Sequence, residues 1–273
     1  MTKIGFIGYG SMGSMIIEGV LSSEILKPDE IIISTRTMNK LVNIKEEYPE
    51  IEITDSNADL AEKCSEIFLF VGTSAVKEVI EEMKTKLSED SHITYIAAAL
   101  TIANIKSVFP GKITKVIPSL TSKVGEGVSL IHHNERVTEQ EATFVNNLFN
   151  SISNVRIIEE ENFEVGSDLT SCAPAFIAEI FMKFAEVSAR NSNFTKEEAE
   201  NMVINTLYGT AKLLKEENMS FKEVISRVAT KGGITEEGVK VLEKELPDIF
   251  DELFKATLDK HQKIKEILDK QYE

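Results

Sequence analysis

A short β-branched run, Lys3–Ile7, leads directly into Gly8-Tyr9-Gly10-Ser11-Met12-Gly13, and an amphipathic helical pattern follows over Ser11–Leu21. A strand, a Gly-x-Gly-x-x-Gly turn and a helix in immediate succession leave few folds open. Gly8 permits a tight turn, Gly10 lets the backbone approach a pyrophosphate, and Gly13 allows close helix–strand packing. The start of the helix offers backbone N–H groups without intrahelical partners, which suit a phosphate. Gly8, Tyr9, Gly10, Ser11, Met12 and Gly13 are therefore candidate cofactor-binding residues.

The second strand bears on which cofactor. A site for NAD carries Asp or Glu about 20 residues beyond the glycine turn, to accept from the ribose 2′-hydroxyl. Here Ile31-Ile32-Ile33 runs into Ser34-Thr35-Arg36-Thr37, two kinds of hydroxyl and a guanidinium, with no carboxylate. That chemistry suits a 2′-phosphate and predicts NADP(H) ahead of NAD. Arg36 also meets a difficulty raised by composition. With a formal net charge of −15, the chain repels nucleic acid and anionic membrane surfaces, so neither is expected as a partner. An anionic dinucleotide needs local donors against the same field.

Further along, β-branched runs alternate with helical patterns. Strands are predicted at Lys3–Ile7, Glu30–Ser34, Ile51–Ile53, Ile67–Val71, Ile93–Ala97, Lys115–Ile117, Val128–Ile131 and Asn154–Ile158. Helices are predicted between them at Ser11–Leu21, Met38–Glu47, Val76–Leu87 and Glu139–Phe149. The alternation reads as βαβ units around a parallel sheet. From about Phe163 only helical spacing remains, at Leu169–Val187, Lys196–Glu217, Phe221–Val228, Glu236–Glu245 and Asp248–Tyr272. The expected fold class is an α/β N-terminal Rossmann domain, residues 1–162, plus an all-α C-terminal dimerisation domain, residues 163–273. Leu169–Val187 and Met202–Leu214 are apolar on more than one face, so burial on all sides is required and an intertwined homodimer is expected.

The remaining chemistry is sparse. Cys64 and Cys172 have no Cys-x-x-Cys spacing, and the four histidines include no helical ligand pair, so no metal site is expected. His132 and His133 are adjacent and would point to opposite faces of a strand. No stretch has the length of a membrane span, and Ile4–Ile7 is too short for a signal peptide, so a cytoplasmic protein without membrane partners is expected.

The chain resembles the pyrroline-5-carboxylate reductase family over nearly its full length. The resemblance lies in the Gly8–Gly13 turn, the Ser34/Arg36 tip, Asn57, Ile96-Ala97-Ala98, Val124-Gly125-Glu126-Gly127 and Pro174-Ala175-Phe176. It is strongest at Lys231-Gly232-Gly233-Ile234-Thr235, followed by Gly238 and Val241-Leu242-Glu243. It implies NADPH-dependent reduction of a cyclic imino acid, 1-pyrroline-5-carboxylate, to L-proline. It also implies that Asn57, Val71, Gly72, Ala97 and Ala98 join Ser34, Thr35 and Arg36 at the cofactor. Gly232, Gly233, Ile234 and Thr235 are the implied substrate-binding residues, and Thr230 and Thr235 the candidate catalytic hydroxyls. Residue chemistry agrees with this placement. A helix expected to start near Thr235, with two glycines before it, is a ready carboxylate receptor; the competing reading is that Thr235 is simply an N-cap, and both roles can hold at once.

Several positions depart from the family's pattern. They are Val71-Gly72-Thr73, Ser119-Leu120-Thr121, Thr170-Ser171-Cys172-Ala173-Pro174, and Lys231 and Ile234. In these the chain is similar to the branch found with late-competence genes in some Gram-positive bacteria. A cofactor-binding regulatory dimer is therefore the alternative to an enzyme. A β-hydroxyacid dehydrogenase would need a lysine early in the first long helix of the second domain, and Gly166–Phe181 contains none. Pro174, inside that helix, cannot donate an N–H and should free the carbonyl of Thr170. That turn is either a wall of the substrate site or a packing kink.

Overall fold

The computed structural model describes residues 3–272. Eight strands alternate with helices through the first 157 residues. In chain order these are β1 (Lys3–Ile7), α1 (Ser11–Ser22), β2 (Ile31–Ser34), α2 (Val42–Glu47), β3 (Glu52–Thr54), α3 (Asn57–Lys63) and β4 (Cys64–Leu69). They continue as α4 (Val76–Met83), β5 (His92–Tyr95), α5 (Ile102–Val108), β6 (Lys112–Ile117), β7 (Gly127–His133), α6 (Glu139–Asn150) and β8 (Ser153–Ile157). All eight expected strands are present, with ends shifted by a few residues. The expected helix Met38–Glu47 is a 3-10 turn, Met38–Leu41, followed by α2. α5 was not foreseen, although Thr101 and Asn104 form a capping box at its start.

The strands form one sheet in the order β3-β2-β1-β4-β5-β6-β7-β8. Pairing is parallel from β3 through β6, antiparallel between β6 and β7, and parallel again between β7 and β8. The strand order reverses at β1, where β2 lies on one side and β4 on the other. A crevice beyond the carboxyl ends of such strands is the usual ligand position in an open α/β sheet. Alternate side chains enter two cores, as the period of two requires. Phe6, Ile31, Ile33 and Phe68 pack on one face with Ile16, Ile17 and Phe149. Ile7, Ile32, Ile67 and Leu69 pack on the other with Leu60, Val79 and Ile93. Isoleucines 31–33 are wholly buried because helices cover both faces.

One cation lies inside this layer. Lys115 on β6 is buried, with Nζ 3.8 Å from Glu160 Oε1 and 4.7 Å from the Phe163 ring centroid. Burial pulls its ammonium down to about 8, against the opposing pull of Glu160 and Glu164.

Beyond the sheet come α7 (Phe163–Ser167), a π-helical turn at Asp168–Cys172, α8 (Ala173–Arg190), α9 (Lys196–Lys215), α10 (Phe221–Val228) and α11 (Ile234–Tyr272). The two helices expected at Glu236–Glu245 and Asp248–Tyr272 are one helix that passes through Pro247. Strong helix formers on both sides carry it across at the loss of one backbone bond. Thr195 with Glu198, and Ser220 with Glu223, form capping boxes that start α9 and α10.

By contacts the chain divides into two units. One runs to Cys172 and takes in the chain from Leu258 onward; the other is Ala173–Thr257. This differs from a boundary at 162/163. The end of α11 belongs with the sheet because Leu268 and Tyr272 enter the core beside Val79 and Ile105. Asn104 Nδ2 also donates to Asp269 Oδ1 at 2.9 Å, and Lys77 Nζ to the Gln271 carbonyl at 2.5 Å. Within Ala173–Thr257, Ala185 and Ala199 are the only buried apolar residues. Ile180, Phe184, Val187, Ile204, Tyr208 and Phe221 are exposed.

Candidate functional site

The turn after β1 owes its shape to two glycines. Gly8 has φ +104°, and a Cβ there would stand 2.4 Å from the Phe70 carbonyl oxygen. A Cβ on Gly13 would stand 2.4 Å from the carbonyl oxygen of Gly8, so α1 can rest against the turn only because Gly13 lacks a side chain. Gly10 faces open space instead, with nothing within 4 Å of a built Cβ. It is also the N-cap of α1 and supplies no side chain to the helix start. The first intrahelical bond runs from Ser14 N–H to the Gly10 carbonyl. The amides of Ser11, Met12 and Gly13 lie before it, beside a surface that a Cβ would otherwise fill. This fits a pyrophosphate.

Gly8 and Gly10 border a cleft at the carboxyl ends of β1, β2 and β4. Gly8, Tyr9, Gly10, Ser34, Thr35, Arg36, Asn57, Val71 and Gly72 line it, all of them expected from sequence. Ser11, Met12, Gly13, Ala97 and Ala98 do not. Ala97 is buried in the core beside Tyr95 and Leu100, and Ala98 packs near Ile117 and Phe163. Tyr9 donates its hydroxyl to Glu18 Oε1 at 2.6 Å, and burial together with that carboxylate holds the phenol well above its ordinary range. Thr37, at the end of the hydroxyl-and-guanidinium run, lines the cleft too, and sequence reasoning missed Lys40, Asp55, Glu78 and Glu82, which also line it. Lys40 had a signal, since it follows Arg36 by four positions; Glu82 had none, because its contact is with a residue 25 positions away.

That contact completes a short chain of hydrogen bonds. Ser34 Oγ donates to Asn57 Oδ1 at 2.7 Å, and Asn57 Nδ2 donates to Glu82 Oε2 at 2.5 Å. Ser34 is buried at the end of β2, while Asn57 is the first residue of α3, whose N-cap is Ser56. Arg36 and Lys40 bring two cations to this edge, and Asp55, Glu78 and Glu82 bring three carboxylates.

The second group of expected residues lies in the unit Ala173–Thr257. Thr230 and Gly232–Thr235 form the turn that opens α11, which starts at Ile234. Gly232 has φ +73°, and Gly233 N–H donates to the Thr230 carbonyl at 2.9 Å. A Cβ on Gly233 would stand 2.8 Å from both the carbonyl oxygen and Oγ1 of Thr230, so this glycine is sterically required. Thr235 lies inside the first helical turn, so the competing reading of it as only an N-cap does not hold. Gly232 N–H instead donates to Glu236 Oε2 at 2.7 Å. An amide at the expected carboxylate receptor thus already holds a carboxylate of the chain itself.

Pro174 acts as expected on the backbone. A π-helical turn precedes it, and the carbonyl of Thr170 accepts from Ser119 Oγ at 2.8 Å. Ser119 is fully buried. Two of the stretches that set this sequence apart are therefore joined by one hydrogen bond. Among the described residues, no cluster of three or more His, Cys, Asp or Glu is arranged to hold a metal ion. His132 and His133 have different partners, the Ile158 carbonyl for the first and Thr114 with Asn146 for the second.

Known proteins match both halves of the chain. Residues 160–264 match the family model described as pyrroline-5-carboxylate reductase dimerisation, and residues 3–98 match that of NADP oxidoreductase, coenzyme F420-dependent. Pyrroline-5-carboxylate reductase 3 of Bacillus subtilis is 40% identical over 99% of this chain and 100% of its own length. The chain belongs to the pyrroline-5-carboxylate reductase family. ComE operon protein 4 of the same organism is 30% identical, over 99% of both chains. This bears out the similarity to a late-competence branch, at lower identity than to the reductase. A solved pyrroline-5-carboxylate reductase from Coxiella burnetii superposes with a TM-score of 0.87 at 26% identity, covering 96% of this chain and 98% of that one. The family's α/β Rossmann domain and helical dimerisation domain are both present. Among the described residues, no helix is long and apolar enough to cross a membrane.

Proposed function

We propose that this protein reduces 1-pyrroline-5-carboxylate to L-proline with NADPH, as a homodimer in the cytoplasm. One observation carries the reading: an open glycine turn and a cationic β2 edge share a cleft in a chain that matches a reductase along its whole length. The amides at the start of α1 would hold the pyrophosphate, and Arg36 with Lys40 the 2′-phosphate. The cofactor supplies a hydride. The protein's own task is to orient both reactants and keep water from the reacting carbon, since a protonated imine is already a good acceptor.

The turn before α11 supports the substrate's part. Gly233 and the first amides of α11 would receive the ring carboxylate, displacing Glu236 from Gly232. Thr235 would hold the ring nitrogen, with Thr230 shaping the turn from below. The exposed apolar faces of α8 and α9 support self-association, as does the family model that covers them.

The test is oxidation of NADPH by purified protein supplied with 1-pyrroline-5-carboxylate, followed at the nicotinamide absorbance, with proline identified as product. Turnover is expected. NADPH binding without turnover would overturn the enzyme reading and favour a regulatory dimer. The higher identity to the relative named a reductase weighs against that alternative.

A further inference from the structure

We propose that Glu82 weights the choice between NADPH and NADH by fixing the hydrogen-bond polarity of Ser34, and that it biases the β2 edge toward the unphosphorylated dinucleotide. The inference rests on the reading of the cleft as a nicotinamide-dinucleotide site. It follows from the donors and acceptors in the chain Ser34–Asn57–Glu82.

An ionised carboxylate only accepts hydrogen bonds. Asn57 must therefore turn its amide nitrogen toward Glu82, 2.5 Å away. Its carbonyl oxygen then faces Ser34 Oγ at 2.7 Å, and because that oxygen also only accepts, the single proton of Ser34 is committed to it. Ser34 keeps lone pairs alone for a ligand. A ribose 2′-hydroxyl can donate to them, whereas a 2′-phosphate dianion has no proton to give. Reversing Asn57 would set its oxygen against a carboxylate oxygen at 2.5 Å, two acceptors with no proton between them.

Replacing Glu82 by glutamine removes the constraint without changing the size of the side chain. The glutamine can present either its oxygen or its NH2, so when a phosphate oxygen calls for the serine proton, Asn57 can reverse, accept from the glutamine and donate Nδ2 to Ser34 Oγ. The serine proton is then free for a phosphate oxygen. The substitution also removes one of three carboxylates that share the cleft with Arg36 and Lys40. Both effects favour NADPH. Glu82 touches neither the hydride nor the imine, so it acts as a positioning residue through Asn57.

The experiment measures dissociation constants for NADPH and NADH by nicotinamide fluorescence in the unaltered protein, Glu82→Gln and Glu82→Ala, with kcat and KM for each cofactor alongside. Both variants should shift the ratio of dissociation constants toward NADPH, Glu82→Gln by about tenfold. A ratio unchanged within about twofold, or one shifted toward NADH, overturns the proposal. A merely structural role for Glu82 would weaken both cofactors together and leave the ratio where it was. Binding constants need no imine, so a shifted ratio without turnover supports the role of Glu82 and refutes only the substrate. Turnover with an unshifted ratio refutes only the role of Glu82. Failure of both dinucleotides to bind refutes the two readings together.

Discussion

Arg36 and Gly13 make opposite kinds of contribution to the cofactor cleft. Arg36 is exposed and contributes through charge, so its loss should not disturb folding. Arg36→Ala is expected to raise the KM for NADPH by about tenfold or more and to leave that for NADH within about twofold, which steady-state kinetics with both cofactors would check. Gly13 contributes through the absence of a side chain. Gly13→Ala puts a methyl 2.4 Å from the Gly8 carbonyl oxygen and should cost about 1–3 kcal/mol, read as a lower urea midpoint, while loosening both cofactors alike. The glycine turn was legible in the sequence because strand, turn and helix are contiguous and each glycine has a separate steric task. The cationic tip was legible because Ser34, Thr35 and Arg36 directly follow three buried isoleucines. The carboxylates were not. Glu78 and Glu82 reach the cleft from α4, and only the tertiary packing of α4 beside α3 brings them there.

At the scale of elements, β6 carries a testable cost. Unfolded, Lys115 titrates near 10.5; folded, burial lowers it to about 8. The unfolded chain therefore binds that proton more readily. The residue opposes folding below pH 8, and the penalty fades as pH rises toward 10.5. Lys115→Met should remove this pH dependence and stabilise the protein at pH 7 by up to roughly 3 kcal/mol, measured by urea unfolding across pH 7–10. Glu160 would not be stranded, because it still accepts from the Ile102 N–H at 2.6 Å and remains partly solvated. Strands were the most legible elements, since runs such as Ile31–Ile33 must be covered on both faces and helices flank each of them in sequence. Their ends were less so: β6 begins at Lys112 and β7 continues to His133 because ladder bonds do not require apolar side chains. The reversed direction of β7 left no local mark. The unbroken α11 was hidden by Pro247, which in sequence reads as a stop.

At the scale of the molecule, the helices of Ala173–Thr257 lack a core of their own. Folded monomers of this unit would leave Phe184, Ile204, Tyr208 and Phe221 in water. The homodimer proposed for the chain should accordingly melt at a temperature that rises with protein concentration. Phe184→Asp should shift sedimentation toward monomer and lower that temperature; an unchanged sedimentation profile would place the interface elsewhere. The return of α11 to the sheet has a consequence for biosynthesis. Leu268 and Tyr272 fill space beside Val79 of α4 and Ile105 of α5, so the helical layer beside β4 and β5 is left with a gap in its wall until translation has passed codon 272. A nascent chain stalled in α10 would hold every residue of the glycine turn and still lack the wedge that closes the layer behind it.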